Sequence, residues 1–212
     1  MGVLPVLALC LLPAPAHPQE CPQGTISYIF IDNRSIFPTS EMDPDRPFRW
    51  IYRLANSLHY RTREQFIRKE LLFGTGDCLD PLLLEESERL LRAYTFIGQS
   101  DVFSLPQPDG THHVNVYTQD EWTTRVDMDA RFDDGFQLNG IRVTEENFLG
   151  RGILLRAFFE QEEARRDLGL EIQSPRLFNS RWDGRLGFGK TRNGSFVEEA
   201  LSFPFVGEVG RF

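Results

Sequence analysis

With 212 residues, 41% of them hydrophobic and 25% charged, the chain has room for one or two domains with a real core, and its composition argues against general disorder. Its net charge of −8, with arginines scattered among acids and no Lys/Arg-rich block, argues against a nucleic-acid partner.

Val3 to Leu12 form a short apolar run, broken by Pro5 and followed by Pro13, Ala14, Pro15 and Ala16. Ala14 and Ala16 satisfy the small-x-small rule, so residues 1–16 are expected to be a secretory signal peptide removed before His17. The run is too short to cross a bilayer as a helix. No Lys or Arg precedes it, which leaves the start codon open, and the bulky Leu9 argues against a lipoprotein signal at Cys10. Removal of the leader leaves Cys21 and Cys78. An even pair in an exported protein suggests a disulfide stabilising by ~3–4 kcal/mol, with two buried free thiols as the alternative. These cysteines and the scattered His59, His112 and His113 lack zinc-site spacing.

Thr25 to Phe37 is rich in β-formers and reads as one strand, or two short ones around Asp32 and Asn33, ending at Pro38. Residues 42–49 form a loop, and Phe48 to His59 has helical spacing in Ile51, Leu54, Ala55 and Leu58. Thr62 and Gln65 match a capping box for a helix that runs to Phe73 and stops at Gly74 and Gly76. Asp80 is the expected cap of a further helix with Pro81 at its first position, and Leu83, Ser87, Leu90, Leu91 and Tyr94 form its apolar stripe. Strands are predicted over Gly98–Leu105 and His113–Trp122, joined by a Pro-Asp-Gly turn. The resulting order is strand, helix, helix, strand, strand.

From Thr124 the helical signal fades, and about six alternating segments follow. They are Arg125–Phe132, Phe136 to about Thr144, Ile153–Phe159, Leu168–Ile172, Trp182–Phe188 and Val197–Phe205, with an acid-and-arginine turn from Glu160 to Arg166. One side of each is apolar, only in part for Arg125–Phe132 and interrupted by Glu199 in the last, and the other carries Gly, Asp, Glu, Arg and Gln. A soluble β-sandwich would bury the oily side in its own core; a transmembrane barrel would turn it to lipid. The Gly-rich polar side, the export signal and the Phe and Trp near strand ends favour the membrane.

Asn147, Phe148, Leu149, Gly150, Arg151 and Gly152 resemble the N-F-L-G-x-G turn of outer-membrane barrels of the BamA-like assembly and translocation superfamily. Ser174, Pro175 and Leu177 resemble its strand-ending hairpin, Ser180, Arg181 and Trp182 the opening of the next strand, and Pro204 and Phe205 its "PF" strand end. Upstream, Leu71 to Asp77 and the Glu86, Ser87, Arg89, Leu91 run resemble the helix-loop-helix of a POTRA domain. The resemblance implies an α+β POTRA-like periplasmic module (β-α-α-β-β) in residues 17–122, followed in 123–212 by antiparallel strands of an incomplete outer-membrane β-barrel. It implies that the module captures client polypeptides, unfolded outer-membrane or secreted chains, by pairing at its sheet edge. Outer-membrane lipid and periplasmic accessory proteins are the other implied partners, and the location is the outer membrane with the N-terminal domain in the periplasm. The family's barrel has more strands than fit here, so the chain is expected to be a fragment.

No catalytic, cofactor or metal site is expected. Glu145 with Glu146, or Asp127 with Asp129, offers carboxylates without a nucleophile, metal or orienting partner. His112 and His113 are expected in an exposed loop, and Ser87 lacks a G-x-S-x-G elbow. Gly150-x-Gly152 precedes a strand where a dinucleotide site needs a helix, so the turn is expected to serve chain reversal alone. The competing reading is an exported soluble β-rich binding protein with no membrane role.

Overall fold

The computed structural model describes residues 21–37, 48–132, 135–162 and 165–203. The expected signal peptide and the Pro204–Phe205 strand end lie outside them.

The first half is α+β. Strand β1 (Ile26–Arg34) is followed by helices α1 (Arg49–Leu58), α2 (Glu64–Glu70) and α3 (Pro81–Arg92), then by the hairpin of β2 (Ile97–Pro106) and β3 (His112–Asp120). Three helices therefore stand where the expected strand-helix-helix-strand-strand order has two, the first of them over the Phe48–His59 segment of helical spacing. The break between α1 and α2 falls at residues 59–63, where Thr62 is buried and its N–H donates to the Asp120 carboxylate at 2.6 Å. That contact also corrects the expected capping box: the N-cap of α2 is Arg63, which makes no side-chain cap. Helix α2 ends at Glu70, short of Phe73, because Leu71 is extended and the Leu72 N–H donates to the Ser87 hydroxyl at 2.9 Å. Helix α3 starts as its sequence dictates, with Asp80 Oδ1 accepting from the Leu82 N–H at 2.9 Å and Pro81 at the first position.

Strand β3 is central, parallel to β1 and antiparallel to β2. One face of this sheet (Ile29, Val102, Val114, Val116) packs with Ile67, Leu84 and Leu91 of the helices into the hydrophobic core. On its other face Tyr28, Phe30, Phe103 and Leu105 are exposed. His112 and His113 open β3 and are strand residues, not loop residues; the His113 ring meets Tyr28 at 5.9 Å. Cys21 and Cys78 are joined, with Cα atoms 5.1 Å apart, beside a backbone bridge between Thr25 and Cys78.

The second half is an antiparallel meander of β4 (Thr124–Arg131), β5 (Gln137–Phe148), β6 (Ile153–Glu162), β7 (Arg165–Ser174), β8 (Asp183–Thr191) and β9 (Gly194–Ser202), each paired with its sequence neighbours. Strand β5 runs on to Phe148, so the turn after it shrinks to Leu149–Gly152. Strand β6 likewise extends through Glu160, where a turn was expected. Among the described residues, β4 and β9 carry no strand on their outer sides. Among the described residues, every buried hydrophobic residue of the core lies between Ile26 and Val116, and the meander adds none.

Candidate functional site

Residues directly opposed in antiparallel strands share a face. Across the meander, one such row reads Val126, Val143, Ala157, Leu170, Phe188, Val197; the next reads Met128, Ile141, Phe159, Leu168 and ends at Lys190 and Ser195; on the other side of the first, Leu155, Ile172 and Leu186 stand between Glu145 and Glu199. This face is open: Val126 is 57% exposed, Met128 70% and Val197 73%. The sandwich reading required burial of this face, and among the described residues no second sheet covers it. Aromatic side chains bracket it. Phe132 and Phe136 meet at 5.4 Å at one end, and Trp182 and Phe203 at 5.5 Å at the other, where Phe148 also lies.

The opposite face is a ladder of charge. Arg142 pairs with Glu160 at 2.7 Å, Arg156 with Glu171 at 2.7 Å, and Arg125 with Glu146 at 2.8 Å. Two glycines there make room for rings. A Cβ on Gly169 would stand 2.7 Å from the Phe158 ring, and one on Gly189 would stand 2.6 Å from Phe196. These glycines are packing sites under aromatic side chains, which strengthens strand positions that glycine alone would weaken.

The carboxylates weighed above for acid–base work are placed as follows. Glu145 accepts from the Thr124 hydroxyl at 2.6 Å and the Asn147 N–H at 3.0 Å. Glu146 takes the Thr95 hydroxyl at 2.5 Å as well as Arg125. Asp127 and Asp129 stand on the charged face, next to Arg142 and Gly140 in the ladder. Ser87 is buried and donates to the Leu83 carbonyl at 2.6 Å while holding Leu72. Among the described residues no group of three His, Cys, Asp or Glu gathers as a metal site.

The hairpin residues Asn147 to Gly152 do more than reverse the chain. Asn147 is wholly buried; its Nδ2 donates to the Thr62 hydroxyl at 2.7 Å and its Oδ1 accepts from the Gly152 N–H at 2.7 Å. The Arg63 N–H donates to the Gly150 carbonyl at 2.8 Å, and Arg63 Nε to the Leu149 carbonyl at 2.9 Å. Gly150 and Gly152 have φ of +69° and +67°, and a Cβ on either would collide with the module: 2.2 Å from the Arg61 carbonyl oxygen at Gly150, 2.6 Å from the Phe66 ring at Gly152. The turn is the socket on which α2 and the residues before it sit. Phe148 faces outward, partly exposed.

A second clasp closes the same junction. Arg176, in the β7–β8 connection, donates Nε to Glu70 at 2.6 Å and a terminal nitrogen to the Lys69 carbonyl at 2.6 Å. Burial opposes its charge, but the Glu70 hydrogen bond and charge outweigh it and hold the guanidinium pKa above its ordinary value. Tyr94 lies close by; burial, reinforced by the Glu70 charge, pushes its phenol well above the ordinary range. Beneath the clasps His59 Nε2 and Asp120 Oδ2 are 3.0 Å apart and almost wholly buried. The sequence singled out Asn147 and its glycines as turn residues. It gave no local sign of Glu70, Arg176 or Asp120, whose partners are distant along the chain.

No protein-family model matches the chain, and no curated protein matches it in sequence. Among solved structures, BamA from Haemophilus ducreyi lacking POTRA domains 1-3 superposes with a TM-score of 0.46 at 12% identity, over 77% of this chain and 27% of that one. CdiB from Acinetobacter baumannii gives a TM-score of 0.42 at 15% identity, over 79% of this chain and 28% of that one. The chain thus spans about a quarter of the length of either protein.

Proposed function

We propose that this is an exported, non-enzymatic protein whose residues 123–212 form part of an outer-membrane β-barrel of the BamA-like assembly and translocation type. Residues 17–122 would form a periplasmic POTRA-like domain. The observation that carries this reading is the uncovered apolar face of the meander, bracketed by aromatic residues at both strand ends. Monomeric soluble proteins rarely leave so broad an apolar face in water. A strand of ten residues such as β7, at ~3.4 Å per residue and ~40° tilt, rises about 26 Å, close to the roughly 25 Å apolar band of outer-membrane barrels. The charged face then lines the lumen. The outer sides of β4 and β9 need partner strands in lipid, because an unpaired edge there leaves amides and carbonyls without hydrogen bonds. The Cys21–Cys78 bridge forms on export, where the compartment is oxidising.

Client capture would use the edge of β2, taking an extended segment of an outer-membrane or secreted polypeptide as an added strand. That edge is partly guarded: the Glu88 carboxylate accepts from the Val102 N–H at 3.1 Å. A client strand must displace Glu88, so Glu88→Ala is expected to increase cross-linking of an unfolded outer-membrane protein to a photoreactive residue at Ser104. The membrane reading is tested by expressing the full gene product and fractionating the cells. Recovery in the outer membrane after alkaline washing, with heat-modifiable migration, is expected. A protein that stays soluble without detergent and melts cooperatively would overturn the reading in favour of an exported soluble binding protein.

A further inference from the structure

We propose that the cleft between α2 and the module end of the meander binds the phosphate of an anionic phospholipid headgroup. Its volume is about 330 Å³, and four cations line it: Arg63 and Lys69 from the module, Arg151 and Arg176 from the sheet. Arg176 is matched by Glu70. Among the described residues, no carboxylate within 4.0 Å matches Arg63, Lys69 or Arg151. In a chain of net charge −8, two separate modules therefore bring three unmatched positive charges to one cleft. Arg63 is already oriented by its bond to the Leu149 carbonyl. Arg176 is oriented by Glu70 and Lys69, so ordering these side chains adds little to the cost of binding.

The position of the cleft selects a lipid as the source of that phosphate. Ile153 and Ser174 line it, and both continue the alternation of the oily face, Ile153 with Leu155 and Ser174 with Ile172. The cleft thus opens on the side turned toward lipid. Phe148 and Trp182 lie at the same strand ends, and aromatic belts sit at headgroup level. Headgroup phosphate would then bridge module and sheet and hold the module at one angle to the membrane. The proposal rests on the membrane reading above, which supplies the bilayer.

The test uses the full chain in neutral detergent and native mass spectrometry, with phosphatidylglycerol, phosphatidylcholine and inorganic phosphate as separate probes. The wild type is expected to retain one phosphatidylglycerol. The variant Arg63→Gln/Lys69→Gln/Arg151→Gln is expected to lose about 100-fold in apparent affinity, at roughly fivefold for each cation. An equal charge loss at the far end, Arg166→Gln/Lys190→Gln/Arg192→Gln, is expected to leave binding unchanged. Equal loss in both variants, equal retention of phosphatidylcholine, or displacement of the lipid by an equal concentration of inorganic phosphate would each overturn the proposal. If the triple variant fails to fold by far-ultraviolet circular dichroism, Arg151→Gln alone, with its expected fivefold loss, decides the matter. Partition of the wild type into phosphatidylcholine bilayers is measured alongside. Partition without phosphatidylglycerol selectivity refutes the site alone, and failure to partition refutes the membrane reading.

Discussion

The buried bond between Asn147 and Thr62 joins sheet to module, so a double-mutant cycle on this pair measures whether the two halves are docked in solution. Asn147→Ala removes that bond and the one from the Gly152 N–H, leaving a hydroxyl and an amide buried without partners. At roughly 1–3 kcal/mol for each stranded group, the expected loss is about 2–5 kcal/mol. Thr62→Ala strands only the Asn147 amide donor and is expected to cost about 1–3 kcal/mol. The double variant strands only the Gly152 N–H, so its loss should fall short of the sum of the two single losses by about 2–3 kcal/mol. The assay is equilibrium unfolding in urea, in neutral detergent, with the four proteins compared at a common m-value. Amide exchange at Gly152 supplies an independent readout, since its N–H is protected only while Asn147 stays in place. Additivity within ~0.4 kcal/mol, or a Gly152 amide that exchanges as freely in the wild type as in Asn147→Ala, would refute the docked junction.

Gly150→Ala is expected to destabilise by about 2–4 kcal/mol in the same assay, combining left-handed backbone strain with a collision against the Arg61 backbone that Gly150 alone avoids. An alanine tolerated within ~0.5 kcal/mol would show that the turn stands away from the module. Reduction of the Cys21–Cys78 bridge, with a sequence separation of 57, is expected to cost about 4 kcal/mol by the loop-closure relation, read as a shift of the unfolding midpoint on adding reductant. Tyr94 supplies a pH signature. Its folded-state pKa is raised by burial and by Glu70, so its contribution is complete below the unfolded value of about 10 and declines as pH rises past it. Unfolding midpoints between about pH 9 and 11 should therefore fall more steeply in the wild type than in Tyr94→Phe; equal slopes would remove the burial argument.

The strands of the second half were legible because their pattern is local: apolar and polar side chains alternate within each strand, and Asn193-Gly194 marks a tight turn. The start of α3 was legible for the same reason, since Asp80 and Pro81 act within one turn of helix. Thr62 shows where such reading stops. Its spacing to Gln65 matches a cap, yet its groups are claimed by Asp120 and Asn147, and no local pattern encodes partners so far along the chain. The junction as a whole has this character. The glycines at 150 and 152 announced a turn, but the need for glycine comes equally from the Arg61 carbonyl and the Phe66 ring pressed against them. The cluster of Arg63, Lys69, Arg151 and Arg176 was hidden likewise, since each is an ordinary scattered cation until the fold collects it.

The pairing pattern of the two sheets sets different demands on the folding chain. In the meander every strand pairs with its sequence neighbour, so contact order is low and each hairpin can form as soon as its own residues are free. In the module the hairpin of β2 and β3 is local, but β1 must find β3 across all three helices, with Ile29 beside Val114. Closing that long loop carries an entropy cost that no early contact offsets. The Cys21–Cys78 crosslink secures the chain just before β1 to the residue before Leu79 and Asp80, which shortens the search once it has formed. The hairpins of the meander are therefore expected to pair before β1 finds β3, so the order of folding runs opposite to the order of the chain.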